Sequence, residues 1–397
     1  MRLTRVKLLN FRNLEKIELD VSPQINIFLG RNGQGKTNLL EAMAFLSLGR
    51  SPRGHRSREL IRFGAEHFHI RLEGEDGSGE PFQLEAAVDR GGNKRIKVDG
   101  QVVAKQAELF GQLSLVQFHP DDAELARGAP ELRRRFLDYT LSVGSAELLR
   151  HLIAYRRAIA QKNRLLKQSV WSAARDGDSR GAELAAWNAE LVEHGVPVLR
   201  ARATVLEPLE QLTREAYADL AGTTVELRLQ IQSSLARRQE TREDFGDDEG
   251  DWKQRFGDAL ERSQSQEIRM RQSMVGPHRD DLLLSLNGRS VRRYGSQGEQ
   301  RSAAIALKLA QAKLIHQRSG DHPIVFLDDI FSELDRQRSE ALQEHLHREH
   351  QLFIATARYD DVRGMAAWPE VAAWLLEDGR PSALSSLDRA EEALAVE

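Results

Sequence analysis

Eight consecutive residues near the start of the chain, Gly30 to Thr37 (GRNGQGKT), have the types and spacing that hold phosphate. Gly30, Gly33 and Gly35 permit a backbone path on which successive N–H groups curl around an anion, and a helix beginning there adds partial positive charge. The whole run, Gly30, Arg31, Asn32, Gly33, Gln34, Gly35, Lys36 and Thr37, is therefore expected to line a nucleotide. Lys36 reaches the β- and γ-phosphates as a point charge, and the Thr37 hydroxyl is a Mg²⁺ ligand. A second chemical feature stands 292 positions after Lys36, where the apolar run Ile324, Val325, Phe326, Leu327 ends in Asp328 and Asp329. A buried strand of this kind sets an acid beside the phosphate loop. Asp328 takes the metal, and Asp329 orients or deprotonates the attacking water.

A third feature is Tyr294 to Arg301 (YGSQGEQR), followed by the apolar helical stretch Ala303 to Leu314. Ser296 and Gly298 at a helix N-terminus form a second anion-binding nest in a chain that already has one. One economical account is that the second nest serves the γ-phosphate of a nucleotide held by another protomer.

These groups must be positioned by secondary structure. Ile25, Ile27, Phe28 and Leu29 predict a strand entering the phosphate loop, and Leu39, Leu40, Met43 and Leu46 predict a helix leaving it. Strands are also expected from Val6, Leu8 and Phe11, from Ile17, Leu19 and Val21, and at 68–72, 82–88, 96–103, 282–286, 324–327 and 352–355. Gly91-Gly92 and Asp99-Gly100 signal hairpin turns. Between about 120 and 275 the pattern becomes helical. One stripe holds Leu148, Leu152, Tyr155, Ile159 and Leu166; a longer one runs from Leu184 to Leu220, with Pro197 and Pro208 as expected breaks or kinks. The polar stretch 175–181 is expected to join an antiparallel helical pair, 240–251 to form an acidic solvated loop, and the segment after Gly379 to be weakly ordered. The domain reading is an ATPase lobe at 1–115, a helical insertion at 116–280, a return to the ATPase core at 281–379 and a tail at 380–397.

The order of NFRN (10–13), GRNGQGKTNLLEA (30–42), LVQFHPDD (115–122), RRRFLD (133–138), GPHRDD (276–281), YGSQGEQR (294–301) and FLDDIFSELD (326–335) resembles the RecF family. These are bacterial recombination mediators whose ATPase heads are similar to those of ABC and chromosome-maintenance proteins. The resemblance covers nearly the whole chain. It implies an α/β fold, an ABC-type P-loop ATPase head of mixed sheet, helices and an antiparallel β subdomain, carrying an inserted all-α lobe. SQGEQR then occupies the signature position, and Ser332 to Asp335 the D-loop. Gln117 resembles the glutamine that joins the two lobes and approaches Mg²⁺ or the attacking water, and Arg12 resembles an arginine near the nucleotide phosphates. The family further implies an ATP-dependent homodimer with two ATP molecules sandwiched between protomers, and weak DNA-stimulated hydrolysis. Its DNA partners are duplex and single-strand/duplex junctions at gaps, its protein partners RecR and RecO, and its task RecA loading, replication restart and SOS induction. Two departures point to a slow switch rather than a motor. Asp329 stands where ABC proteins usually carry Glu, and Thr356-Ala-Arg358 follows the last strand where a His is usual.

For DNA, the stretch Leu148 to Arg175 holds no acidic residue but carries Arg150, Arg156, Arg157, Lys162, Arg164, Lys167 and Arg175. Arg150, Arg157 and Arg164, seven apart, fall opposite the apolar stripe and suit phosphate contacts that read shape rather than sequence. Lys94, Arg95 and Lys97 at a hairpin tip and Arg133 to Arg135 are further candidates. His345, His347 and His350 invite a zinc reading, but 345 and 347 point to different helix faces, so a surface reading is preferred.

Composition bounds the alternatives. The 397 residues are 40% hydrophobic and 29% charged, with 57 Lys+Arg against 60 Asp+Glu, which suits two or three soluble domains and no general polycation. The absence of cysteine excludes disulfides and thiolate sites and fits a reducing cytoplasm. The charged, interrupted N-terminus reads as no signal peptide, and no run approaches a membrane span. Aromatic residues at 6% are few for a protein that stacks bases. The alternative class is an ABC-type motor acting on a non-DNA partner such as a transporter. A coiled-coil chromosome ATPase needs a longer insertion, and a small-molecule kinase rarely separates its two nucleotide motifs so widely.

Overall fold

In a computed structural model, the structure describes residues 1–103, 106–168, 177–235, 248–346 and 349–387. The chain divides into two compact units, one of Met1–Ala123, Glu215–Thr224 and Arg301–Glu397, the other of Glu124–Arg214 and Val225–Gln300. The sequence reading set the insertion at 116–280. In the structure the second unit also keeps the hairpin and nest up to Gln300.

The first unit holds two sheets. Strands β1 (Arg2–Phe11), β2 (Leu14–Asp20), β4 (His67–Glu75), β5 (Pro81–Asp89), β6 (Lys94–Val98) and β7 (Gln101–Val102) form an antiparallel sheet in the order β2-β1-β4-β5-β6-β7. The other sheet has the order β15-β14-β3-β13-β12-β8. It comprises β3 (Ile25–Leu29), β8 (Leu115–Phe118), β12 (Ile324–Asp328), β13 (Leu352–Thr356), β14 (Val371–Glu377) and β15 (Arg380–Ala383). All its pairs are parallel except β14 with β15. Every residue of β3, β12 and β13 is buried, which explains why these strands read as largely apolar runs, interrupted by Asn26 in β3, rather than as apolar-polar alternation. Helix α1 (Lys36–Leu48) is buried through most of its circumference, with Leu39, Leu40, Met43, Phe45 and Leu46 all in one core with Phe11 and Phe68. The Phe45 and Phe11 rings meet Phe68 edge-on at 5.5 and 5.2 Å.

Helix α2 (Gln106–Leu109) belongs to the first unit, and α3 (Ala123–Arg127) stands at the boundary of the two. The second unit contains α4 (Pro130–Ser142), α5 (Ala146–Lys167), most of α6 (Gly177–Ala221), α7 (Glu249–Met270) and α8 (Val291–Tyr294). It also has a three-stranded antiparallel sheet, β11 (Arg289–Ser290), β10 (Asp281–Leu286) and β9 (Leu227–Gln232). Helices α9 (Gln297–Ser319) and α10 (Arg336–Leu346) complete the chain.

Three expectations need correction. Of the breaks or kinks expected at Pro197 and Pro208, the breaks are absent: α6 runs through both prolines over 45 residues. Each proline removes one backbone N–H, but buried Val196, Val198, Leu199, Val205 and Leu209 hold the helix on both sides of the gap. The chain after Gly379 begins with a paired strand, β15, whose register with β14 runs from Glu377↔Arg380 to Trp374↔Ala383. The residues from 388 onward lie outside the described residues. Strands β8, β9 and β14 were not expected: β8 has only four residues, β9 is built from polar alternation such as Arg228 and Gln230, and β14 begins Val371-Ala-Ala, with little of the β-branched or aromatic content that marks a strand. Most of the 240–251 acidic segment also lies outside the described residues; from Glu249 the chain is already helix α7.

The GPHRDD segment organises the second unit. The Arg133 guanidinium, 1% exposed, donates to Asp281 through Nε (2.7 Å) and Nη2 (2.9 Å) and to the Leu125 and Gly128 carbonyls. Arg202 donates to Asp138 (2.6 Å), the Pro277 carbonyl and Asp280, while Arg134 caps the Asp280 carbonyl. The Tyr155 hydroxyl meets Nδ1 of His278 at 2.6 Å, and burial pushes that imidazole down to about 3, so it is neutral at physiological pH. A Cβ on Gly276, at φ 125°, would come 2.3 Å from the Tyr155 oxygen, so only glycine fits. Among the described residues no helix is long and apolar enough to cross a membrane.

Candidate functional site

Strands β3, β13 and β12 lie side by side with their carboxyl ends aligned, and the sequence-predicted phosphate loop and acids sit at those ends. The loop is fixed by its glycines. A Cβ on Gly30 would meet the Leu376 carbonyl oxygen at 2.4 Å, and one on Gly35, at φ 106°, would meet Leu14 at 2.7 Å and Asn13 at 2.9 Å. The Asp378 N–H donates to Oε1 of Gln34 and the Gly379 N–H to its carbonyl, so the β14–β15 turn clamps the same loop.

Lys36 is only 4% exposed, and its ammonium donates to the carbonyls of Gly30 (2.7 Å) and Arg31 (3.1 Å). Burial lowers its pKa, opposed by the charges of Asp329 and Asp328. The Thr37 hydroxyl donates to Oδ1 of Asp328 at 2.8 Å, which joins two residues that are 291 positions apart in sequence. Asp328 is 1% exposed and its other oxygen, Oδ2, is buried with no hydrogen bond. Burial raises its pKa, the Thr37 bond and His119 acting against the shift. A buried carboxylate oxygen without a donor, next to a hydroxyl, is a hard-oxygen pair that fits a divalent cation such as Mg²⁺. Asp329 takes a left-handed φ of 50°, which Asp tolerates, and its N–H donates to the Ala355 carbonyl. This locks it at the ends of β12 and β13. The Ser332 hydroxyl of the SELD segment donates to the Asp329 carbonyl at 2.7 Å.

Gln117 lies on β8 opposite Phe326 of β12, and its carbonyl accepts from Lys308, which also faces Asp122 at 3.3 Å. Sequence reasoning missed His119 two residues later. Its Nδ1 accepts the Asp121 N–H, so in the neutral ring the proton sits on Nε2, 3.8 Å from Oδ2 of Asp328. The available signal was a His just past the carboxyl end of a strand that borders the acid-bearing one. Asn13 was also overlooked: it accepts from Asn38 and donates to the Gly33 carbonyl at 3.4 Å. Arg12 sits in the same turn, but Nε and Nη2 both donate to buried Glu41 of α1, at 2.6 and 3.0 Å.

Ser296, in the other unit, is exposed and forms a reciprocal cap at the start of α9. Its N–H and hydroxyl donate to Glu299, and the Glu299 N–H returns to its Oγ. Gly298 is in the first turn of that helix.

On α5, Arg150, Arg157 and Arg164 are exposed while Leu148, Leu152, Tyr155 and Leu166 are buried, as the wheel predicted. Other basic candidates go elsewhere. Lys162 is fully buried against Glu267 at 2.7 Å, Arg156 faces Asp138, and Arg133 and Arg134 belong to the buried network. Lys94, Arg95 and Lys97 lie on β6, not at a tip; Lys94 donates to the Gly49 carbonyl and Lys97 faces Glu85. Arg175 lies outside the described residues. Of the three histidines weighed for zinc, His345 pairs with Asp219, His350 bonds to the Pro323 carbonyl, and His347 is outside the described residues.

Comparison with known proteins places these features. Residues 2–373 match the family model of the RecF/RecN/SMC N terminal domain. The chain is 37% identical over 357 residues to the DNA replication and repair protein RecF of Heliobacterium modesticaldum, covering 90% of this chain and 92% of that one. It is 38% identical to RecF of Desulforudis audaxviator, covering 90% and 94%. Among solved structures it is similar to the recombination mediator protein RecF with ATP in the RecFOR pathway, with TM-score 0.84, 28% identity and coverage of 97% and 98%. An Smc head bound to the C-winged helix domain of ScpA, 16% identical with TM-score 0.58, shares the fold alone. The fold is thus the α/β head of this ATPase class.

Proposed function

This chain belongs to the RecF family of DNA replication and repair proteins, and from that premise we propose that it is an ATP-gated DNA-binding protein of recombinational repair. Membership removes the transporter-motor alternative. The observation that carries the reading is the Thr37–Asp328 hydrogen bond, which joins the phosphate loop to the acidic strand end beside an unpartnered carboxylate oxygen.

On this reading Lys36 exchanges the Gly30 and Arg31 carbonyls for phosphate oxygens when ATP enters, and Thr37 and Asp328 hold Mg²⁺. Held there, Mg²⁺ would supply positive charge against the phosphates. Asp329 orients the attacking water, assisted by Gln117, and His119 stands near Asp328, its Nε2 3.8 Å from Oδ2. An aspartate here is one bond shorter than glutamate, so hydrolysis is slow and ATP acts as a switch. Arg12 acts through Glu41 on α1, while the loop backbone from Gly30 to Gly35 cradles the phosphates.

Ser296 and Gly298 complete the site on a second copy of the chain. Support comes from the exposure of Ser296 and of Tyr294, at 71%, beside it. Light scattering is expected to show a monomer without nucleotide and a dimer with ATP and Mg²⁺. Ser296→Arg should keep ATP binding but remain monomeric at saturating ATP. Ser296→Ala, which loses the cap at a cost of about 1 kcal/mol and the hydroxyl but adds neither bulk nor charge, should weaken dimerisation far less than Ser296→Arg does. A wild-type monomer at saturating ATP would sink the sandwich.

The dimer is proposed to bind duplex and single-strand/duplex junctions through the exposed row Arg150, Arg157 and Arg164, and to help RecR and RecO load RecA at gaps, with SOS induction downstream. Reversing all three to Glu should weaken duplex binding by at least about 10-fold near physiological salt and flatten its salt dependence by about 3 counterions. An unchanged slope in fluorescence anisotropy titrations would remove α5 from the DNA surface.

A further inference from the structure

At the amino ends of β12 and β13, opposite the nucleotide, is a second cluster of chemistry-bearing side chains. One nitrogen each of His322 and His350 and one carboxylate oxygen of Glu349 lie within 4.8 Å of one another. His322 stands two residues before β12, and His350 and Glu349 two and three residues before β13, whose pairing runs Val325↔Leu352. Nδ1 of His350 donates to the Pro323 carbonyl at 2.9 Å, so the lone pair of the neutral ring is on Nε2. Nδ1 of His322 is buried and has no hydrogen-bond partner. The His316 ring stacks on His322 at 3.7 Å and 11°, fixing its plane, and His350 meets it edge-on at 5.3 Å.

We propose that His322, Glu349 and His350 form a zinc site that ties the loop entering β12 to the loop entering β13. Two imidazole nitrogens and one carboxylate suit Zn²⁺ and disfavour Mg²⁺, which takes oxygen ligands. The His350 bond to a backbone carbonyl is the outer contact that metal-bound histidines usually make. Ligand atoms around tetrahedral zinc are about 3.4 Å apart, so closure needs roughly an ångström of movement. Glu349 is exposed and can supply it, and water takes the fourth position. The six residue steps from His322 to Asp328, at about 3.3 Å each when extended, put this site up to roughly 20 Å from Asp328. It therefore braces the strands that carry Asp328 and Asp329 without touching the nucleotide.

The test uses untagged full-length protein stripped with chelator and titrated with ZnCl₂, with Co²⁺ absorbance as a spectroscopic readout. One equivalent of Zn²⁺ is expected to bind, and Co²⁺ to develop visible bands. His322→Ala and Glu349→Ala should each weaken uptake by more than about 10-fold. Circular dichroism in chelator establishes that each variant is folded, and Asp328→Asn, altered at the nucleotide site, should keep full uptake. Absence of stoichiometric uptake by the wild type overturns the proposal. So does uptake that survives both ligand substitutions or is lost in Asp328→Asn.

Discussion

Replacing Lys36 by alanine is expected to weaken ATP binding by about 100-fold or more while leaving the fold intact. The ammonium already makes two charge-assisted hydrogen bonds, to Gly30 and Arg31, and it is desolvated in place before nucleotide arrives. Bonds to charged groups contribute about 1.5–3 kcal/mol each, so losing two toward phosphate exceeds the roughly 2.7 kcal/mol that makes 100-fold. Burial disfavours the charged lysine in the free protein. Its removal relieves that cost but leaves the Gly30 and Arg31 carbonyls without their donor, so thermal stability should change little against the loss in affinity, which separates lost binding from lost folding. Titration with a fluorescent ATP analogue, alongside thermal unfolding, checks both halves. Wild-type affinity in Lys36→Ala would move the nucleotide site elsewhere.

The second large effect is structural. Arg133→Leu should destabilise the helical unit by about 3–5 kcal/mol, because it strands the buried Asp281 carboxylate and two carbonyls, those of Leu125 and Gly128. At about 2–4 °C per kcal/mol for a unit of this size, the melting transition should fall by roughly 10 °C. The double variant Arg133→Leu/Asp281→Leu should recover part of the loss, since an apolar pair often replaces a buried ion pair at little cost. A lysine at 133 would not suffice, lacking the planar fork that meets both oxygens of Asp281. If instead stability is unchanged and duplex affinity drops, Arg133 is a DNA contact as its sequence position suggested.

The contrast between Arg133 and Arg157 marks where sequence reading stops. Both stand in basic helical stretches, and charge alone treats them alike. Arg157 falls on the polar face of an amphipathic helix, and the 3.6-residue period is enough to expose it. Arg133 is buried because Asp281, 148 positions later, arrives beside it, and local pattern carries no information about that distance. Lys162 repeats the lesson: an acid-free stretch looks like a DNA-binding face until Glu267 pairs with one of its cations. The same limit hid His119, whose relation to Asp328 depends on β8 being the neighbour of β12.

What the sequence by itself determined was whatever local sterics and periodicity dictate. Gly30 to Thr37 specify their own path, because glycines at 33 and 35 open conformations that other residues resist, and the flanking apolar runs commit to strand and helix. The acidic strand end at Asp328 and Asp329 was legible for the same reason. Tertiary structure alone decided which charges are buried and which histidines meet, because these depend on contacts between residues well separated in sequence, 28 positions for His322 and His350 and 148 for Arg133 and Asp281. A buried ion pair and an exposed cation differ only in what the rest of the chain brings beside them. The topology of the β3-β13-β12-β8 sheet supplies that, placing Thr37 against Asp328 at one end and His322 near His350 at the other.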